Sequence, residues 1–215
     1  MNSLLRTAAL IALAGGLLTG PNAVAAPDVP HDGAHFVHLG HPQPVRAVGH
    51  REAVEFFWYD CVHSHQLEAP LEQWAARHSS DVTLRRVPAV WPGGPAEQVQ
   101  LAHARLYYTL ERLGEVDHLQ LAVFRAVRGQ KADLTTEELA TAWAQRQGLD
   151  AAKFRAAYRS PEVDRSAKGA ADLLVRYRVS EVPTVVVEGG DRTSPSKAGG
   201  VEQMPAVMDD LVARH

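Results

Sequence analysis

The sequence is poor in cysteine, since its 215 residues include one, Cys61. A single cysteine excludes an intramolecular disulfide and a zinc site built on paired cysteines. Neither sign of charge dominates, because the chain has 22 Lys and Arg residues and 25 Asp and Glu residues. No basic run occurs, so we predict no nucleic-acid partner. Hydrophobic residues form 46% of the chain, which suffices for a packed core and excludes global disorder.

The first 25 residues have the layout of a secretory signal peptide. An uncharged apolar stretch, 7–20, follows Arg6, and Ala23-Val24-Ala25 provides small residues for cleavage. The stretch is shorter than the roughly 20 residues that span a bilayer, although a retained membrane anchor is the alternative interpretation. No later stretch is long and apolar enough to span, so we predict no stable membrane insertion. We predict a signal peptide over 1–25 and export to a bacterial periplasm, which is an oxidising compartment.

The chain after residue 50 has the pattern strand, helix, strand. Residues 53–59 form an almost continuously apolar run, which predicts a strand buried on both faces. A helical stretch follows to about residue 78; it should bend at Pro70, and Trp74 within it is expected in the core. Residues 82–87 predict a second strand, so this part is a βαβ unit.

A block of helices and a final sheet segment complete the pattern. Helical spacing of apolar residues recurs from 96 to about 177, and residues 135–138 have the pattern of a capping box that turns Leu139 inward. The apolar run 182–188 precedes two glycines and predicts a hairpin, and a helix over about 201–214 closes the chain. The predicted fold class is α/β, a small sheet interrupted by helices.

Cys61 lies where the buried strand meets the N-terminus of the next helix. Free backbone N–H groups and the helix dipole at that point stabilise a thiolate over a thiol, and the thiolate is the nucleophilic form. His63, when protonated, would help to hold this anion, and Ser64 can donate a hydrogen bond to sulfur. The alternative is a cysteine that is simply buried, as free cysteines often are.

This region carries a resemblance to a known family. Residues 54–64 resemble the active-site strand and Cys-Pro-His-Cys motif of the DsbA family of periplasmic thiol-disulfide oxidoreductases. Residues 36–45 are similar to that family's first strand, and Val182-Pro183 is similar to its loop with a cis proline. The resemblance covers about residues 36–213 and implies a thioredoxin-like fold with an inserted all-helical domain. The implied division is a thioredoxin-like first part over 26–92, a helical insertion over 93–165 and a thioredoxin-like second part over 166–215.

The resemblance implies four catalytic residues: Cys61, His63, Ser64 and Glu55. Cys61 is then the exposed nucleophile and His63 the residue that stabilises its thiolate. Glu55 matches the family's buried acid beneath the site, which moves protons when burial raises its pKa. The alternative for Glu55 is a carboxylate that a nearby arginine satisfies.

The resemblance also implies a substrate-binding set: Val62, Trp58, Val182 and Pro183. A cis Pro183 would lie across from Cys61. It would leave the carbonyl and N–H of Val182 free to pair with an extended substrate peptide. Trp58 precedes the site and belongs either to the core or to the rim of a peptide groove.

Two departures from the family motif limit this comparison. Val62 replaces the proline and Ser64 the second cysteine, so the chain has no thiol to resolve a mixed disulfide at Cys61. Leu84 and Arg85 lie where the family often has a lysine. The expected partners are cysteine-containing exported proteins or small thiols, with glutathione as an external thiol and no bound cofactor.

Several functions stay open. A monothiol enzyme could exchange disulfides with substrates that resolve themselves, could work with glutathione, or could hold a mixed disulfide or a disulfide-linked dimer through Cys61. The alternatives are a peptide-binding or chaperone module of the same fold and a glutathione-dependent isomerase or transferase. Histidines recur near the start of the mature chain, but at loose spacing without acidic or cysteine companions, so we predict no metal site there: His31, His35, His38 and His41. His65 is expected to face solvent.

Overall fold

The computed structural model describes residues 30–215, and the predicted signal peptide lies outside them. These residues form a five-stranded sheet in the order β1-β5-β4-β2-β3. β2 runs parallel to β3, and the other neighbouring strands are antiparallel. The strands are β1 (Val37–His38), β2 (Arg51–Phe57), β3 (Val82–Pro88), β4 (Thr184–Val187) and β5 (Asp191–Thr193).

Helices connect and cover this sheet. α1 (Val62–Arg77) joins β2 to β3, and a block of helices is inserted between β3 and β4, as predicted. The block comprises α2 (Glu97–Leu113), α3 (Val116–Phe124) with a π-helical turn at Arg125–Gly129, α4 (Glu137–Arg146), α5 (Ala151–Tyr158) and α6 (Pro161–Arg176). α7 (Pro195–Ala198) and α8 (Met204–Ala213) close the chain.

The central strand β2 separates two hydrophobic cores. Phe56 and Val54 pack with the inserted helices on one face of the sheet, and Ala53 packs with α1 and α8 on the other. Trp74 of α1 is fully buried in the second core, as predicted. The nearly continuous apolar run of β2 therefore reflects a strand that is covered on both faces.

The start of α4 differs from the predicted capping box. Thr135 is engaged outside the helix, because its hydroxyl donates to Asp133 Oδ1 at 2.6 Å and its N–H to the same oxygen at 2.9 Å. Thr136 is therefore the N-cap and accepts the N–H of Leu139 at 3.3 Å. The helix begins one residue later than a Thr135 cap would require, and Leu139 is 42% exposed rather than inward.

Two helices run through points where the sequence predicted a change. α1 continues through Pro70 as one helix from Val62 to Arg77. The predicted boundary between 165 and 166 falls inside α6, whose buried face is continuous from Val163 to Leu174 and belongs to the core of the inserted helices. The buried residues of α6 on both sides of this boundary therefore form one amphipathic stripe.

The β4–β5 hairpin contacts the segment before β2 through its turn. Three residues connect the strands; Glu188 and Gly189 both have positive φ, 48° and 67°, and the N–H of Gly190 donates to Val187 O at 3.1 Å to close the turn. Gln43 donates its N–H to Gly189 O at 2.8 Å, and a Cβ added to Gly189 would lie 2.0 Å from Gln43 O. Glycine is required here by conformation and by the close approach of another backbone.

The two ends of the described chain meet beside β5. The buried Asp191 is held between His38 Nδ1 at 2.8 Å and His215 Nε2 at 2.9 Å. Arg214 donates to the carbonyl of Pro30, so residues 30 and 214 are in contact. Within 30–215, none of the helices has the length and apolar character that crossing a membrane requires.

Candidate functional site

Cys61 is the N-cap of α1, directly beyond the end of β2. Its extended backbone, with φ −87° and ψ 125°, lets its carbonyl accept the N–H of His65 at 3.1 Å and start the helix. The cysteine is free and partly exposed. The structure therefore puts a reachable sulfur at a helix N-terminus, where anions are stabilised.

The loop before β4 faces this sulfur. The Val182–Pro183 peptide bond is cis. Cys61 Sγ lies 3.4 Å from the carbonyl oxygen of Val182, to which its S–H donates. That hydrogen bond exists only while the sulfur carries a proton, so the Val182 carbonyl is released when the sulfur ionises or forms a disulfide.

The next three side chains of the motif differ in exposure. Val62 is 42% exposed and His63 is exposed, whereas Ser64 is fully buried. Ser64 Oγ accepts a hydrogen bond from the N–H of Trp58 at 3.4 Å, so its partner is the end of β2 and not the sulfur. Among residues 30–215, the sulfur makes a hydrogen bond to Val182 and none to His63 or Ser64.

His103 of α2 reaches the site from the inserted helices. Trp58 Nε1 donates to His103 Nδ1 at 3.1 Å, and the histidine is 3% exposed. Burial lowers the pKa of His103 to about 4, against the opposing effect of Asp60 and Asp133. The ring is therefore neutral at pH 7 and accepts at Nδ1. Sequence reasoning missed this residue; its one signal was a histidine on the mostly apolar face of α2.

Asp60, next to Cys61 in sequence, is paired with cations from the inserted block. Its carboxylate lies 3.3 Å from Arg128 Nη1 and 3.6 Å from Lys131 Nζ. These ion pairs tie the π-helical turn to the start of α1. They also offset a negative charge that would otherwise oppose a thiolate at the neighbouring residue.

His65 packs on α3 instead of facing solvent. Its ring stacks on Phe124 with centroids 5.6 Å apart and an interplanar angle of 3°. Burial lowers the pKa of His65, and the positive charges of Arg125 and Arg128 lower it further. The expectation of a solvent-facing histidine was wrong because α3 approaches this face of α1.

A buried ionic cluster lies beneath the site, and its cation is Arg86. The parallel register of β2 and β3 aligns Glu55 with Arg86, and Arg86 Nε lies 3.4 Å from Glu55 Oε2. Arg86 Nη2 donates to Glu68 Oε1 of α1 at 2.7 Å. Arg85 points to the other face and pairs with Glu52 at 3.0 Å. The cation that faces Glu55 is thus Arg86 and neither Leu84 nor Arg85.

One cation serves two buried carboxyl groups in this cluster. Burial raises the pKa of Glu55 well above its usual range, and Glu68 adds to the shift while Arg86 opposes it. Burial likewise raises the pKa of Glu68 to about 7. Glu55 is thus a buried acid with a raised pKa, and it lies 3.4 Å from Arg86 without a hydrogen bond to it.

The chain matches known proteins over nearly its whole length. A family profile described as a DSBA-like thioredoxin domain matches residues 37–212. The chain belongs to the DsbA family. The thiol:disulfide interchange protein DsbA of Burkholderia cepacia is 35% identical over 99% of this chain and 96% of its own, and that of Azotobacter vinelandii is 34% identical over 84% and 82%.

Solved DsbA structures share the fold. Pseudomonas aeruginosa DsbA superposes with a TM-score of 0.77 at 33% identity, covering 85% of this chain and 92% of that one. Reduced DsbA1 from Neisseria meningitidis gives a TM-score of 0.75 at 28% identity, covering 87% and 96%. Membership of the DsbA family confirms the thioredoxin-like fold with an inserted helical block. Residues 30–215 contain no group of three His, Cys, Asp or Glu side chains placed to hold a metal ion.

Proposed function

We propose that this chain exchanges disulfides with cysteine-containing exported proteins through the single sulfur of Cys61, in the periplasm and after removal of residues 1–25. The observation that carries the proposal is the partly exposed Cys61 at the N-cap of α1, 3.4 Å from the Val182 carbonyl. Membership of a thiol-disulfide oxidoreductase family supports it.

The first step is attack by the Cys61 thiolate on one sulfur of a substrate disulfide. The substrate S–S bond breaks, a mixed disulfide forms, and the released substrate thiolate takes up a proton. Because residue 64 is a serine, the second step needs a thiol from outside the chain. A second thiol of the substrate gives isomerisation. Glutathione instead gives reduction, in which two glutathione molecules are oxidised to their disulfide and the substrate disulfide becomes two thiols.

The Val182 carbonyl links the chemistry to substrate binding. It accepts from the Cys61 thiol in the free protein and loses that donor once the sulfur is in a mixed disulfide. A substrate backbone N–H can then replace the lost donor, so an extended peptide pairs with the loop. The exposed Val62 provides apolar surface beside the sulfur, and the partly buried Trp58 donates to His103 at 3.1 Å.

Insulin reduction with excess glutathione tests this function. We expect turnover in the wild-type chain that vanishes in Cys61→Ala, because the attacking sulfur is gone. Ser64→Ala is the matched control, since it changes a neighbouring buried side chain and keeps the sulfur. Equal rates of insulin reduction by Cys61→Ala and wild type would refute the proposal.

Trapping in intact cells tests the mixed disulfide directly. On non-reducing gels, we expect adducts of the native protein that disappear with a reductant and are missing in Cys61→Ala. Mass spectrometry of the excised bands distinguishes an exported protein, glutathione and a second copy of this chain. A thiol that stays free under oxidative stress would speak against exchange through Cys61.

The serine at position 64 favours one alternative, a peptide-binding or chaperone module that has lost turnover. Ser64→Cys separates the two, because it would provide the missing resolving thiol in the first turn of α1. We expect the variant to oxidise a reduced test protein as a dithiol. If it stays inert while its circular dichroism is unchanged, the groove no longer presents disulfides to Cys61 and the binding module is the better interpretation.

A further inference from the structure

Two adjoining cavities lie beside β3, and Cys61 lines neither of them. Their volumes are about 400 and about 320 Å³, within the range of small-molecule sites. Both are lined by Arg46, Arg85, Arg86 and Glu111, so they form one continuous recess, which we call the arginine recess. It lies between the segment before β2, the outer strand β3 and helices α2 and α6.

Five arginines and three acidic residues line the arginine recess: Arg46, Arg85, Arg86, Arg165, Arg176, Glu52, Glu111 and Asp117. Arg85 is oriented by Glu52 at 3.0 Å and by the Tyr177 hydroxyl at 3.3 Å. Arg46 and Arg176 also line the recess, and neither forms an ion pair with another residue of 30–215. Arginines from three separate segments therefore line one concave space.

Glu111 is the acidic side chain shared by both cavities. Burial raises the pKa of Glu111, although Arg85, Arg46 and a hydrogen bond from the Tyr107 hydroxyl at 3.2 Å lower it. Arg85 is paired with Glu52, so Arg46 and Arg176 are the arginines of the recess that form no ion pair within residues 30–215.

We propose that the arginine recess binds a small ligand that carries two or more carboxylate or phosphate groups. Guanidinium groups present paired donors that match carboxylate and phosphate oxygens bidentately. Val87, Tyr108 and Leu173 provide the apolar part of the wall, and the recess is a cavity rather than a flat surface, which favours a small molecule over a macromolecule. This site is independent of the chemistry proposed for Cys61.

Isothermal titration calorimetry of the full mature chain in about 150 mM NaCl tests the site, with citrate and pyrophosphate as probes. We expect saturable binding with a Kd below about 1 mM for at least one probe, and none for acetate. In the double variant Arg46→Ala/Arg176→Ala we expect a Kd at least tenfold higher. Arg146→Ala, an exposed arginine at the end of α4, is the control and should bind like wild type.

Each contrary result overturns the proposal. Absence of saturable binding to both probes does so, as does equal binding by the double variant and wild type. Binding to phosphatidylglycerol vesicles without binding to either free probe would show that these arginines bind an anionic membrane surface instead of a small ligand. Circular dichroism and the insulin assay show that the double variant is folded, because Arg46 and Arg176 lie outside the Cys61 site.

Discussion

Replacement of Arg86 by leucine is the sharpest test of the buried ionic cluster. Arg86 is 8% exposed and contacts Glu68 at 2.7 Å and Glu55 at 3.4 Å, and both carboxyl groups are fully buried. Removal of one partner from a buried ion pair leaves the other charge uncompensated and costs about 3–5 kcal/mol. We expect Arg86→Leu to lose about this much unfolding free energy at pH 7.

The loss should depend on pH in a defined direction. Between about pH 4.5 and 7 the folded protein holds a proton on Glu68 that the unfolded chain has released, so the contribution of Glu68 to stability falls as pH rises. Arg86 opposes this by lowering the pKa of Glu55 and Glu68. Without Arg86 the decline is steeper, so the cost of Arg86→Leu should be smaller at pH 5 than at pH 7.

Urea unfolding followed by tryptophan fluorescence at pH 5 and pH 7 measures both quantities. Arg86→Lys is the matched control, because it keeps the positive charge and removes only the second donor arm. We expect it to cost less than Arg86→Leu and to show a weaker dependence on pH. A loss under about 1 kcal/mol for Arg86→Leu at pH 7, or equal losses at the two pH values, would refute the reasoning.

Three further predictions concern other contacts. Asp60→Asn removes a negative charge beside Cys61 and should speed iodoacetamide alkylation a few-fold at low salt, with less effect at high salt; an unchanged rate contradicts it. Gly189→Ala should cost more than about 2 kcal/mol in thermal unfolding, because its Cβ would meet Gln43 O and its φ is 67°; an unchanged Tm would show that the turn can relax. The lowered pKa of His103, about 4, means that the unfolded chain binds the extra proton between pH 4 and 6.5. The contribution of His103 to stability should therefore fall by about 3 kcal/mol as pH falls through that window, and His103→Gln should remove this contribution; a stability difference between wild type and variant that does not change with pH would contradict it.

The parts of the site that depend on local sequence were predictable. A continuous apolar run marks β2, and the strand-to-helix junction places Cys61 at an N-cap, where the structure has it. The paired glycines after the apolar run at 182–188 mark the β4–β5 hairpin. These features follow from periodicity and turn chemistry within a few residues, without knowledge of distant contacts.

The parts of the site that depend on strand register or on distant packing were not predictable from the sequence. Arg86 rather than Arg85 faces Glu55 because neighbouring residues in a strand point to opposite faces, so an error of one position exchanges the partner. His103 reaches Trp58 only through the packing of α2 against the end of β2. Leu139 is exposed because Asp133 engages Thr135 and moves the helix start by one residue.

The meeting of the two chain ends beside β5 has a practical consequence. Because Arg214 contacts Pro30 and His215 is anchored on Asp191, a short peptide linker between residues 215 and 30 would close the backbone into a ring. That ring could be opened at the exposed turn around Gly148, between α4 and α5. Such a circular permutant would move the new termini to the inserted helices and keep β2, Cys61 and the Val182–Pro183 loop in their present arrangement.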